Sequence, residues 1–357
     1  MPLPKLKIGD LTAAHPIIQG GMGIGVSLSG LAGAVAKAGG VGIISCAQIG
    51  YQDPLFERAP FKANMRAIAS EYQKAKEIAG SGGIVGFNIM CATFKYESYV
   101  KRCVEVGADL IISGAGLPIH LPELVGTAKT KIAPIVSSAK AAKVILRTWA
   151  KRYDRTADLV VVEGPQAGGH LGFKYEDTGM APEVMDEEFT KILDEVAVYE
   201  EKFQQKIPVV FAGGVFDRSD IDRYLALGAS GVQIASRFVV TEECDAPESY
   251  KKMYLNASQK DIEIIKSPVG MPGRALHNDF TERTKVEERI PIAKCRNCLS
   301  LDHCDRKTIP YCISEMLLNA VTDKPQQGLI FAGGQVHRLN KITTVPQLMA
   351  ELTLDPL

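Results

Sequence analysis

Eight short apolar runs, rich in β-branched residues, recur along the chain with a helix-like segment after each, and that alternation is the pattern of a parallel sheet covered by helices. The runs are Pro16 to Gln19, Gly42 to Cys46, Ile84 to Asn88, Leu110 to Ser113, Pro134 to Ser137, Leu159 to Glu163, Pro208 to Ala212 and Gly231 to Ala235. Apolar residues follow one another instead of alternating with polar ones, as expected of strands buried on both faces. Eight such units predict an α/β fold, a closed parallel (β/α)8 TIM barrel. A doubly wound open sheet is the competing arrangement. Helical spacing is clearest from Glu183 to Phe203, where Val184, Phe189, Ile192, Val196 and Tyr199 are expected to face the barrel.

Barrels of this type run to about 250 residues or more as one unit, so 357 residues do not require a second core. The rhythm breaks after about residue 240. A helix from Pro247 to Ser258 closes the eighth unit, Pro268 to Asn278 reads as a Gly/Pro loop, and helical spacing returns at Ile309 to Val321 and Val345 to Leu352. We therefore expect a barrel over 1–260 and a mainly helical, cysteine-containing C-terminal appendage over 261–357, serving as a lid or as a contact in a homodimer. The 41 basic and 41 acidic side chains cancel, which removes any global attraction to nucleic acid or to an anionic membrane. No stretch approaches the roughly 20 apolar residues of a membrane helix, and no apolar signal core follows the first residues, so a cytoplasmic protein is expected.

In such a barrel the chemistry lies at the carboxyl ends of the strands. There the chain places Gln19-Gly20-Gly21-Met22-Gly23, Asn88, Ser113-Gly114-Ala115-Gly116, Glu163-Gly164-Pro165-Gln166-Ala167-Gly168-Gly169-His170, Ala212-Gly213-Gly214 and Gly231-Val232-Gln233-Ile234-Ala235-Ser236-Arg237. Glycine lets backbone approach a flat ring or a phosphate, and N–H groups at helix starts bind anions. Glycine loops after strands seven and eight are the usual barrel phosphate site. His170 follows two glycines at a strand's active-site end, where an imidazole can exchange protons near neutral pH. His15, His120, His303 and His337 have no such placement, and His277 sits on the Gly/Pro segment.

Four of the eight cysteines crowd together as Cys295, Cys298, Cys304 and Cys312. Four thiolates opening with Cys-x-x-Cys can wrap a [4Fe–4S] cluster or a tetrahedral zinc. The plain alternative is four reduced cysteines, some packed as small apolar residues. Cys46, Cys91 and Cys103 read as core residues.

Taken together, Pro16-Ile-Ile-Gln-Gly-Gly-Met22, Gly86-Phe-Asn88, Glu163-Gly-Pro-Gln-Ala-Gly-Gly-His-Leu-Gly172, Ala212-Gly-Gly214 and Gly231-Val-Gln-Ile-Ala-Ser-Arg-Phe238 resemble the nitronate monooxygenase (2-nitropropane dioxygenase) and enoyl-ACP reductase II superfamily. The resemblance spans about residues 10 to 280 and implies a barrel holding FMN without a covalent bond. It implies that Gln19, Gly20, Gly21, Met22, Asn88, Glu163, Gly168 and Gly169 lie by the flavin. Gly213, Gly214, Gln233, Ala235 and Ser236 would hold the phosphate end, and His170 would be the catalytic histidine. Members commonly have Gly-Thr at Ala235-Ser236, and the nitronate enzymes with a His-Lys-Cys signature find Val136-Ser137-Ser138 here.

The activity implied is oxidation of alkyl nitronates with oxygen. Reduction of an enoyl thioester by NAD(P)H, reduction of a quinone or other acceptor, and a flavin-binding sensor without turnover are the alternatives. Lys140, Lys143, Arg147 and Lys151 share one helix face, which suits either an acyl carrier protein or water.

Overall fold

The computed structural model describes residues 2–300 and 304–354; His303 lies outside the described residues. Eight parallel strands form a closed barrel: β1 Ile17–Gln19, β2 Val41–Ser45, β3 Ile84–Met90, β4 Leu110–Gly114, β5 Lys131–Val136, β6 Val160–Glu163, β7 Val209–Ala212 and β8 Gly231–Ile234. All eight expected runs are strands. The open sheet is ruled out by the pairing of β8 with β1, Val232 to Ile17 and Ile234 to Gln19.

Burial on both faces explains the unbroken apolar runs. Ile18, Ile43, Leu110, Ile112, Val161 and Val210 fill the interior with Leu6 and Ile8 of an N-terminal hairpin, whereas Ile17, Ile44, Ile111, Val160, Val162 and Phe211 face outward among the helices. Successive side chains thus alternate in and out while both directions stay dry.

The outer ring includes α1 Ser29–Lys37, α2 Pro60–Ala79, α3 Tyr96–Glu105, α4 Leu121–Val125, α5 Ala139–Tyr153, α6 Pro182–Phe203 and α7 Arg218–Ala226. Ser138 caps α5 by accepting the Ala141 N–H at 3.2 Å. On α6 one expectation fails: Val184 is 52% exposed, and Met185 takes the inward position ahead of Phe189, Ile192, Val196 and Tyr199. Because α6 begins at Pro182, the inward stripe falls on 185, 189, 192, 196 and 199. The basic face of α5 is exposed, with Lys143 drawn to Glu195 of α6 at 3.7 Å.

After α8 Ser236–Val239 and α9 Glu248–Asn256, the expected loop Pro268 to Asn278 is largely strand. β9 Ile262–Lys266 and β10 Pro272–Leu276 form an antiparallel hairpin, and β10 also pairs with Gly169–His170. The prolines argue for a loop, but Pro272 opens β10, a position that tolerates a missing N–H. The C-terminal part continues with α10 Asp279–Val286, α11 Ile313–Val321 and α12 Val345–Thr353; α12 lies against α1, α7 and α8. No helix among the described residues is long and apolar enough to cross a membrane.

Candidate active site

A cavity of about 590 Å³ opens at the carboxyl ends of the barrel strands, within the roughly 300–1,000 Å³ range of small-molecule and cofactor pockets. Of the residues expected there, Gly20, Gly21, Met22, Asn88, Glu163, Gly168 and Gly169 line it with His170. Gly213, Gly214, Gln233, Ala235 and Ser236 line the side formed by β7 and β8. Gln19 does not. Its side chain is buried, with Oε1 accepting the Ile43 N–H at 3.0 Å and Nε2 donating to the Gly20 carbonyl, so it fixes β1 against β2. Among the described residues no other histidine reaches the cavity. His277 lies between the carboxylates of Glu263 and Glu282, at 3.5 and 3.4 Å.

The glycines are sterically required. A Cβ on Gly21 would stand 2.5 Å from Asn88 Cβ, closer than carbon atoms approach. Gly213 and Gly214 have φ of 102° and 83°, a region that side chains disfavour. Two amide atoms at the cavity lack partners: Gln48 Nε2, on a side chain that is 5% exposed, and Gln233 Oε1. Buried polar atoms without partners are costly, so this pocket is built for a polar ligand.

The Glu163–His170 loop is held from the C-terminal side of the chain. Arg274 on β10 is buried and donates to the carbonyls of Pro165, Ala167 and Thr178. With no carboxylate among these partners, burial lowers its pKa to about 10. His170 Nε2 shares a hydrogen bond with Ser267 Oγ at 2.7 Å, and its ring packs edge-on against Phe331 at 5.0 Å. Burial lowers the imidazole pKa to about 4, so His170 is neutral at physiological pH. Burial has the opposite effect on Glu163, raising its carboxyl to about 7 against the lowering influence of the Gly172 N–H and the Ser137 hydroxyl.

The C-terminal chain also supplies cavity wall. Phe-Ala-Gly-Gly occurs twice, at 211–214 and at 331–334, and residues of both copies line the cavity. Gly333 donates its N–H to Ser236 Oγ at 3.1 Å, and Gly334 donates to the Gln166 carbonyl at 3.0 Å. That repeat is the signal in the sequence for this second wall. Ser267, Arg274 and Gln48 leave none, because each matters through a partner distant in sequence or through an atom left unpaired.

The cysteine segment docks on the same end of the barrel. Thr93 and Leu299 form an antiparallel bridge, and Phe94 donates its N–H to the Cys298 carbonyl at 3.1 Å. Lys294 and Arg296 meet the Glu57 carboxylate at 2.9 and 2.7 Å, hydrogen bonds that lower its pKa to about 2. Cys298 and Leu299 line the cavity. Among the described residues no group of three or more His, Cys, Asp and Glu side chains is placed to hold a metal ion, although Cys295, Cys298, Cys304 and Cys312 lie near enough for their charges to raise one another's pKa. Cys312 is buried at the start of α11, Cys295 Sγ accepts the Asn297 N–H at 3.3 Å, and burial raises the Cys298 thiol to about 11.

The family model for nitronate monooxygenase matches residues 5–355. Over 74% of its length the chain is 29% identical to an octahydroindene-carboxyl-CoA dehydrogenase of Rhodococcus jostii, spanning 64% of that protein. It is 24% identical to a probable nitronate monooxygenase of Bacillus subtilis, covering 94% of each. Among solved structures, FabK from Thermotoga maritima superimposes with a TM-score of 0.69 at 25% identity, over 95% of this chain and 92% of that one.

Proposed function

Because the chain belongs to the nitronate monooxygenase family, we propose that it is an FMN-dependent oxidoreductase that oxidises alkyl nitronates with oxygen in the cavity above the barrel. The observation that carries this reading is the cavity itself, a glycine-walled pocket with unpartnered amide atoms and one half-buried histidine. The residues suit FMN. Gly20, Gly21 and Gly168 admit a flat ring, Asn88, Gln48 and Gln233 offer hydrogen bonds to its polar edge, and Gly213, Gly214, Ala235 and Ser236 present the strand-seven and strand-eight loops to a phosphate. Bound there, FMN supplies the electron-transfer chemistry. His170, uncharged and tethered to Ser267, offers a neutral hydrogen bond to the reacting group. Met22, Met90, Leu299 and Leu317 exclude water and accept an alkyl group.

Anaerobic addition of propyl-2-nitronate to the FMN-reconstituted protein should bleach the visible flavin band, and admitted oxygen should restore it. A protein that retains no FMN, or whose flavin stays oxidised, contradicts the reading.

Reduction of an enoyl thioester by NAD(P)H has its own support in the likeness to FabK, an enoyl-ACP reductase II, and in the CoA-thioester relative. The exposed Lys140, Lys143, Arg147 and Lys151 would then receive an acyl carrier protein. Bleaching by NAD(P)H, followed by anaerobic reoxidation with a 2-enoyl thioester, distinguishes this reaction from the first.

A further inference from the structure

On β6 the outward Val160 and Val162 and the inward Val161 set an alternation that turns Glu163 into the cavity. It pairs with Ala212 of β7, which pairs in turn with Gln233 of β8. Its Oε2 accepts the Gly172 N–H at 3.0 Å, and Ser137 is its second partner. The ionisable groups on the surrounding elements are committed elsewhere. Arg274 on β10 is turned to backbone carbonyls, and Arg237 after β8 binds the Phe216 carbonyl and Glu351. Glu188 on α6 accepts the Ala139 N–H, and His170 on the same loop bonds to Ser267. Glu163 is half-buried, and a carboxyl drawn partly out of water without a cation beside it holds its proton more tightly, so that this one is raised to about 7.

The same commitments bear on any anion in the cavity. Arg237 is the single Lys or Arg among the lining residues, and its guanidinium is occupied. An anion there must be met by neutral donors, and a carboxyl supplies one only while protonated. A carboxylate would repel it.

We propose that protonated Glu163 is a hydrogen-bond donor to the anionic end of the substrate, so that the cavity accepts a small planar anion while Glu163 keeps its proton and rejects it once that proton is lost. This rests on the nitronate reading, because a nitronate is such an anion. It assigns Glu163 a substrate-binding role in addition to closing the loop onto Gly172, a bond that glutamine can also make.

The test uses oxidised, FMN-loaded protein and propionate, an inert planar anion whose charge is constant from pH 6 to pH 9. Its Kd, read from the flavin spectrum, should rise about tenfold per pH unit above about 7, because binding retains one proton. In Glu163→Gln it should stay flat. Thermal melting of the ligand-free proteins gives a second readout. Folding raises the Glu163 pKa, so its contribution is present at low pH and lost as pH rises through about 7. The wild type should therefore lose melting temperature against Glu163→Gln between about pH 4.5 and about pH 7.

A flat wild-type Kd, an equal slope in the variant, no propionate binding at any pH, or parallel melting curves would each overturn the proposal. If propionate behaves as described but nitronate leaves the flavin oxidised, the proposed function fails and the Glu163 assignment stands. Nitronate oxidation with a flat propionate Kd sinks the Glu163 assignment and leaves the proposed function standing.

Discussion

At the scale of single residues, two ionisable side chains on one loop are pushed apart by burial. His170 falls to about 4 and Glu163 rises to about 7, so both are uncharged just below neutrality. On the proposed function the histidine meets the reacting group uncharged, with Ser267 fixing its ring by a hydrogen bond. Replacing Ser267 by Ala removes one hydrogen bond, worth about 1 kcal/mol. On the proposed function it should lower kcat by about tenfold or less, with FMN affinity unchanged; unchanged steady-state kinetics would remove Ser267 from the mechanism. His170 also sets an acid limit. Its folded pKa lies below the unfolded value, so the unfolded chain binds the extra proton first, and stability should decline as pH falls from about 6.5 toward 4. His170 could be picked out in the sequence because two glycines precede it at a strand end. Ser267 could not, because it lies on the turn joining β9 to β10, and only the folded chain brings it to the imidazole.

At the scale of elements, the barrel was legible because strands buried on both faces leave unbroken apolar runs, and the glycine loops were legible because they interrupt those runs at one end. The β9–β10 hairpin was not. Pro268 and Pro272 with Gly270 and Gly273 look like a loop, and the strand character of β10 comes from its pairing with β9 and with Gly169–His170. Arg274 ties that hairpin to the Glu163–His170 loop and its flank through three carbonyls. Arg274→Leu strands those carbonyls, at a cost on the order of 3 kcal/mol. The variant should melt at lower temperature and bind FMN more weakly, as read by thermal denaturation and flavin fluorescence. Wild-type FMN affinity in a folded variant would show that the hairpin does not shape the site. The cysteine segment marks the opposite lesson. Its spacing suggests a metal site, and the fold adds what spacing could not show: Cys298 lines the cavity and Cys312 stands at the start of α11.

For the whole molecule, the cavity is a joint product of the barrel and the chain beyond residue 260. The barrel supplies the glycine loops, while Ser267, Arg274, Cys298, Phe331 and Gly333 complete or brace the walls. A chain ending at residue 260 should therefore retain little FMN even where far-ultraviolet circular dichroism shows its barrel folded. Full FMN retention would return the C-terminal part to the role of an independent appendage. The central claim is that this shared cavity holds FMN and passes electrons from an alkyl nitronate to oxygen. Anaerobic mixing of the FMN-loaded protein with propyl-2-nitronate is the decisive measurement: the visible flavin band should be lost and should return with oxygen, and a band unchanged by nitronate would rule out nitronate oxidation in this cavity.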